Sequence, residues 1–328
     1  MSRLPRQILP DTATELADGA LAVGGIRLTD LAAEYGTPLF VYDEAHLRNR
    51  CREALDAFGR DRVVYATKAF LCRAMARLAD EEGLLLDVAT GGELFVALAA
   101  GVSAQRCVMH GNNKSVDELR LALTSGVRHI NVDSFDELDR LEALNREGLP
   151  APRVHLRITP GVHAHTHEFI ATGQDDSKFG FNLGNGDAAK AVDRALRSGA
   201  LELVGLHCHI GSNVFAAASF ARAAEVMARF AQPYGLPELT LGGGLGVAYL
   251  EGEEAPSITE WARVLLDACR SLGVQSEVSV EPGRSIVANA ALTLYTVGTI
   301  KEIPGVRTYV AVDGGMSDNP RPVLYGSG

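Results

Sequence analysis

Residues 63–88 read VVYATKAFLCRAMARLADEEGLLLDV. Two apolar runs, Val63–Thr67 and Leu84–Val88, bracket a stretch of helical periodicity at Ala74–Glu82. Gly83 stands where a C-cap glycine belongs. This is one strand–helix–strand unit, and the rest of the chain is read by asking how often it recurs.

From residue 44 to about 290 it recurs without interruption. Further strands are expected at Arg106–Met109, His129–Val132, Arg153–Ile158, Leu203–His207, Glu238–Leu241 and Glu277–Val280. Helical patterns lie between them at Glu93–Ala100, Val116–Ser125, Phe135–Arg146, Ala188–Ser198, Ala217–Ala231 and Ile258–Ser271. Asp30, Ser115, Ser134 and Ser257 occupy N-cap positions, and Gly101, Gly126, Gly148, Gly199 and Gly273 follow helices. Eight strands joined through helices predict an α/β fold, a (β/α)8 TIM barrel. A doubly wound open sheet uses the same units and is the runner-up.

The ends of the chain read differently. In residues 1–43 short apolar pieces are broken by glycines, with a tight turn at Val23-Gly-Gly-Ile26 and a short helix at Thr29–Tyr35. Residues 291–328 alternate like strands at Leu292–Ile300 and Arg307–Val312. The expected organisation is therefore 1–43 as the first part of a β-domain, 44–290 as the barrel and 291–328 as the start of the remaining β-domain.

The chain has 328 residues and a net charge of −10, with 31 basic and 41 acidic side chains. That balance argues against nucleic-acid binding as the main task, although a local basic pocket for a small anion remains compatible with it. At this length the core needs no disulfide staples. Cys51, Cys72, Cys107, Cys208 and Cys269 are odd in number, scattered and free of any CxxC pair, which suits a reducing compartment. The first residues hold no signal-peptide core, and no apolar run reaches the ~18 residues of a membrane span. A soluble cytoplasmic protein is expected, with no membrane partner.

In a barrel, reactive groups sit at the C-terminal ends of the strands. Lys68 follows strand one, Asp87 ends strand two, His110 and Asn112 follow strand three, and Asp133 follows strand four. His207 and His209 stand at strand six, Gly242-Gly243-Gly244 after strand seven and Glu281 after strand eight. Desolvation in the barrel mouth is expected to lower the pKa of Lys68 and favour its nucleophilic amine; a solvated lysine that starts a helix is the equal alternative. The glycine run frees backbone N–H groups for an anion, and barrel phosphate sites form from the loops after strands seven and eight. Gly283 and Arg284 supply the second of those loops, where the guanidinium meets a phosphate or carboxylate. His207 and His209 also admit a zinc reading, but no carboxylate of ligand spacing accompanies them, and no metal is expected. His163, His165 and His167 read as a polar loop. A lysine, a phosphate loop, an imidazole for stacking on a flat ring and an acidic residue together describe a pyridoxal 5′-phosphate site.

The motifs Tyr65-Ala-Thr-Lys68-Ala, His207-Cys-His-Ile-Gly-Ser212, Gly242-Gly-Gly244, Glu281-Pro-Gly-Arg284 and Asp313-Gly-Gly-Met-Ser-Asp-Asn-Pro-Arg321-Pro-Val-Leu-Tyr325 resemble diaminopimelate decarboxylases. These are pyridoxal-phosphate enzymes of the alanine-racemase-like fold type. Thr172–Phe181 resembles the family's loop after strand five. The resemblance implies that Lys68 forms the imine with the cofactor, that His209 stacks on its ring and that Glu281 pairs with its pyridine nitrogen. It implies that Ser212, Gly242, Gly243, Gly244, Gly283 and Arg284 hold the phosphate and nearby substrate groups. Arg321 and Tyr325 fall in the segment that recognises the distal end of the substrate, and a cation there suits a distal carboxylate. The implied reaction is decarboxylation of meso-2,6-diaminopimelate to L-lysine and CO2, with a homodimer sharing active sites. A carboxynorspermidine-type decarboxylase and a cofactor-binding but inactive chain are the alternatives. The family continues beyond residue 328 with a Cys-Glu-Ser-type motif and a further tyrosine, so a truncated sequence is expected.

Overall fold

The computed structural model describes residues 5–162, 173–174, 176–320 and 323–324. The chain divides into two compact units. The larger comprises Arg50–Val247 and Ala255–Ser285; the smaller comprises Met1–Asn49, Ala248–Glu254 and Ile286–Gly328.

The larger unit is built on strands β1 (Val64–Ala66), β2 (Leu85–Val88), β3 (Cys107–Met109), β4 (His129–Val132), β5 (Arg153–Thr159), β6 (Glu202–His207), β7 (Glu238–Thr240) and β8 (Glu277–Ser279). Each pairs in parallel with the next, in chain order and without reversal. The two ends meet. Val63 bridges Val280 in parallel, Val64 N donates to Val280 O at 2.9 Å, and Ala66 N donates to Pro282 O at 3.0 Å. A doubly wound sheet would leave both edges open and reverse its order midway; this sheet closes, as a TIM barrel does. A short further strand, Phe181–Asn182, pairs in parallel with the end of β5.

Helices α1 (Arg73–Glu82), α2 (Gly91–Ala99), α3 (Val116–Ser125), α4 (Phe135–Arg146), α5 (Asp187–Arg197), α6 (Ala217–Ala231) and α7 (Ile258–Ser271) connect the strands. Ser115 and Ser257 open α3 and α7 with reciprocal capping boxes to Glu118 and Glu260, and Ser134 caps α4. Asp30 is not a cap: its helix begins at Leu28, which places Asp30 in the first turn, where its charge favours the helix dipole. Gly199 follows α5 without a left-handed conformation, because the chain leaves through extended Ser198.

The barrel interior is unusually polar on one strand. Along β5, Val154, Leu156 and Ile158 alternate with His155, Arg157 and Thr159, and all six are buried. Period-two geometry sends the two sets to opposite faces. His155 reaches Glu238 of β7 at 2.8 Å by passing over β6 at Gly205. A Cβ at Gly205 would stand 2.6 Å from His155 Nε2 and 2.6 Å from the Glu238 carbonyl oxygen, so only glycine fits.

In the smaller unit, Leu21–Val23 pairs antiparallel with Ile26–Arg27. Gly24 and Gly25 make the turn, at φ 60° and 79°. The helix Leu28–Tyr35 follows. Leu39–Tyr42 pairs antiparallel with Ala291–Leu294, and Val297–Ile303 with Arg307–Val312.

Candidate active site

Lys68 lies in a single 3-10 turn, Thr67–Ala69, directly after β1. Its side chain is 59 % exposed in the open barrel mouth, while its partner Asp87 is 2 % exposed. Lys68 Nζ donates to Asp87 Oδ2 at 2.8 Å. Burial alone would lower the lysine pKa, as the sequence suggests, but the outcome is the reverse. Asp87 and Glu281 outweigh it and hold the Lys68 ammonium above the ordinary lysine value.

Glu281 is buried beyond β8. Its Oε1 accepts from His110 Nε2 at 3.0 Å and its Oε2 from His207 Nε2 at 2.9 Å. Burial would raise its pKa, and the two imidazoles more than reverse this, holding the carboxyl well below the usual carboxylate range. For His207, burial prevails over Glu281 and drives the ring down to about 4. The pair is therefore a carboxylate held by a neutral imidazole at neutral pH. His110 Nε2 also lies 3.8 Å from Asp87 Oδ1, so Lys68, Asp87, His110, Glu281 and His207 form one continuous chain of polar contacts.

The glycine run stands beside this chain. Glu281 N donates to Gly242 O at 2.7 Å, and a Cβ at Gly243 would overlap the Glu281 carbonyl oxygen. Gly244 adopts φ +105°, and a Cβ there would overlap the Gly211 carbonyl oxygen. Gly243 N donates to His209 Nδ1 at 3.3 Å. Burial, then the Arg157 and Lys68 charges, holds the His209 imidazole neutral. Arg284 Nη2 donates to Ser212 Oγ at 3.2 Å, and Gly283 packs against Ala66 and Ala69, one residue either side of Thr67-Lys68. Lys68, His209, Ser212, Gly242, Gly243, Gly244, Glu281, Gly283 and Arg284 thus belong to one barrel mouth. Arg321 and Tyr325 lie outside the described residues, as do His163, His165, His167 and Thr172.

The zinc reading of His207 and His209 gains no support. Among the described residues, the converging His/Cys/Asp/Glu groups are His110–His207–Glu281 and His129–His155–Glu238, and His209 belongs to neither. His207 serves Glu281, whereas His209 meets the glycine run.

The structure also brings in residues that motif reading did not single out. Arg157 of β5 approaches Asp133 Oδ2 at 3.6 Å and lies 4.2 Å from the Phe179 ring centroid. Gly180 N donates to Asp133 Oδ1, which fastens the described end of the loop after β5. Asn131 of β4 braces His110. The signal for both was the polar alternation in 129–133 and 153–159, which ordinarily marks an outward, solvated face.

These residues suit a phosphorylated aldehyde. An amine stands at the mouth, a glycine run too tight for any Cβ lies across from it, a neutral imidazole flanks that run, and a buried carboxylate completes the set. Fold and site together define a barrel of the kind that suits such a cofactor.

Comparison with known proteins agrees. The family model "Pyridoxal-dependent decarboxylase, pyridoxal binding domain" matches residues 44–288. The diaminopimelate decarboxylase of Bacillus subtilis (strain 168) is 47% identical over 332 residues, spanning 97% of this chain and 76% of the relative. That of Mycobacterium tuberculosis (strain ATCC 25618 / H37Rv) is 46% identical over 344 residues, spanning 99% and 77%. The crystal structure of diaminopimelate decarboxylase from M. jannaschii in co-complex with L-lysine superposes with a TM-score of 0.89 at 33% identity, covering 97% of this chain and 76% of that one. The chain belongs to the diaminopimelate decarboxylase family of pyridoxal-dependent decarboxylases.

Proposed function

We propose that this chain decarboxylates meso-2,6-diaminopimelate at its D-configured centre, giving L-lysine and CO2. The observation that carries the reading is the convergence of Lys68, through Asp87 and His110, on the same mouth as Glu281 and the Gly242–Gly244 run. The names of the relatives supply the substrate.

Bound pyridoxal phosphate supplies an electron sink for the electron pair that departing CO2 leaves behind. Lys68 provides the amine that anchors it, and Asp87 holds the proton on Nζ until that amine is needed. Gly242, Gly243, Gly244, Gly283, Arg284 and Ser212 bind the phosphate with backbone and side-chain donors. His209, neutral, offers a flat face to the ring. Glu281 supplies the negative charge that keeps the ring nitrogen protonated. Arg321 and Tyr325 recognise the distal amino-acid head, Arg321 through its carboxylate.

We further assign residues 1–43 and 291–328 to one β-domain, supported by the antiparallel pairing of Leu39–Tyr42 with Ala291–Leu294. The chain works as a cytoplasmic homodimer on this reading. The five free cysteines suit a reducing compartment. Among the described residues, no helix is long and apolar enough to cross a membrane.

The direct test is CO2 release from meso-diaminopimelate with added cofactor, run beside ornithine, arginine and carboxynorspermidine. Turnover of diaminopimelate alone is expected. Equal turnover of ornithine overturns the substrate assignment, and an unchanged cofactor absorption band in Lys68→Ala overturns the role of Lys68.

A further inference from the structure

His110 and His207 take opposite oxygens of Glu281, at 3.0 Å and 2.9 Å. Their rings stand edge to face, with centroids 5.2 Å apart. Each contributes one N–H, and neither needs a positive charge to do so. Behind His110 stands Asn131, whose Nδ2 lies 2.7 Å from Nε2 and 3.1 Å from Nδ1. Asn131 therefore braces the ring of His110 beside Glu281.

The consequence is electrostatic. An arginine or lysine in place of the two histidines would orient Glu281 and cancel its charge. Two imidazole N–H groups orient it without requiring a positive charge, and burial holds the His207 ring neutral. Each carboxylate oxygen retains a second acceptor site for a further partner. His110 also separates Glu281 from Asp87, whose far oxygen holds Lys68. Arg157 is a further cation nearby, paired with Asp133.

We propose that His110 and His207 are positioning residues that fix Glu281 as an oriented anion, so that the ring nitrogen of the bound cofactor keeps its proton. This rests on the assignment of Glu281 to that nitrogen. Asn131 acts one step further back, on His110.

The test compares His110→Phe and His207→Phe, which delete the donor, with His110→Gln and His207→Gln, which restore an N–H near the Nε2 position. Each cofactor-loaded protein is titrated spectroscopically with pH, and kcat and KM are measured. Thermal melts confirm folding. Deleting either donor is expected to weaken ring-nitrogen protonation by about ten- to a hundredfold, the range for one hydrogen bond to a charged group. The spectral midpoint then moves to lower pH by about one to two units. kcat falls with it, while KM changes little, and the glutamine variants recover most of both losses. Folded phenylalanine variants with wild-type midpoints overturn the proposal, as do glutamine variants no better than the phenylalanine ones. Glu281→Gln separates two failures. A wild-type midpoint there overturns the assignment of Glu281 itself. A shifted midpoint there, beside unshifted histidine variants, overturns only the positioning role.

Discussion

The Asp87 carboxylate lies 2.8 Å from the Lys68 ammonium at the end of neighbouring barrel strands. The contact keeps the lysine protonated, whereas attack on an aldehyde needs the neutral amine. Asp87→Asn removes the larger of the two charges that raise the lysine pKa. The pH midpoint for capture of pyridoxal phosphate by the cofactor-free protein is expected to move to lower pH. Stopped-flow absorbance across a pH series reads it directly, and an unmoved midpoint would show that Asp87 does not govern the amine.

At Gly243 the backbone of the glycine run touches the carbonyl of Glu281 so closely that no Cβ fits. Gly243→Ala must push the run away from the strand-eight loop. Overpacking of this kind costs about 1–3 kcal/mol, so cofactor affinity is expected to fall by about tenfold or more. Equilibrium titration with pyridoxal phosphate checks this, with the melting temperature measured in parallel.

Acid should unfold this protein early. His129 and His155 are buried and stacked, with ring centroids 3.9 Å apart. Burial leads in depressing both rings, and also His207, which falls to about 4. Unfolded imidazoles take up protons near pH 6.5, the folded ones only at lower pH. The unfolded state thus binds more protons below pH 6.5, and stability falls as pH drops through that window. Each such ring contributes a slope of up to about 1.4 kcal/mol per pH unit. Urea titrations at several pH values between 7 and 5 are expected to show the decline, and His129→Leu to flatten it.

Lys114 has no exposed side-chain surface. Its Nζ meets Glu137 at 2.7 Å and donates to the Asn131 carbonyl at 2.8 Å and to the Gly111 carbonyl. It therefore ties the loop after β3 to β4 and α4, beneath His110. Lys114→Met leaves Glu137 buried without its cation and is expected to cost about 3–5 kcal/mol. The double variant Lys114→Met/Glu137→Leu should lose less than Lys114→Met alone, which denaturant midpoints of the two proteins will show.

Much of this molecule was legible before folding was considered. All eight barrel strands were expected within a residue or two of where they lie, because most are apolar runs between glycine stops and amphipathic helices. The serine caps at 115, 134 and 257 were equally plain, since capping depends on residues three apart. The Lys68 prediction failed in its electrostatics: the neighbouring carboxylate stands 19 residues away in sequence and one strand away in space. His207 and His209 take different partners for a related reason. Two residues apart on a strand share a face only while the strand continues, and β6 ends at His207.

Sequence alone determined the barrel and most of the side chains that gather at its mouth, because strand ends and loop positions follow from local periodicity. Only the tertiary structure decided which protons those side chains carry. Glu281 is joined to His110 and His207 at sequence separations of 171 and 74, respectively; the charges of Glu281 and His207 depend on burial and partners that exist only once the sheet has closed.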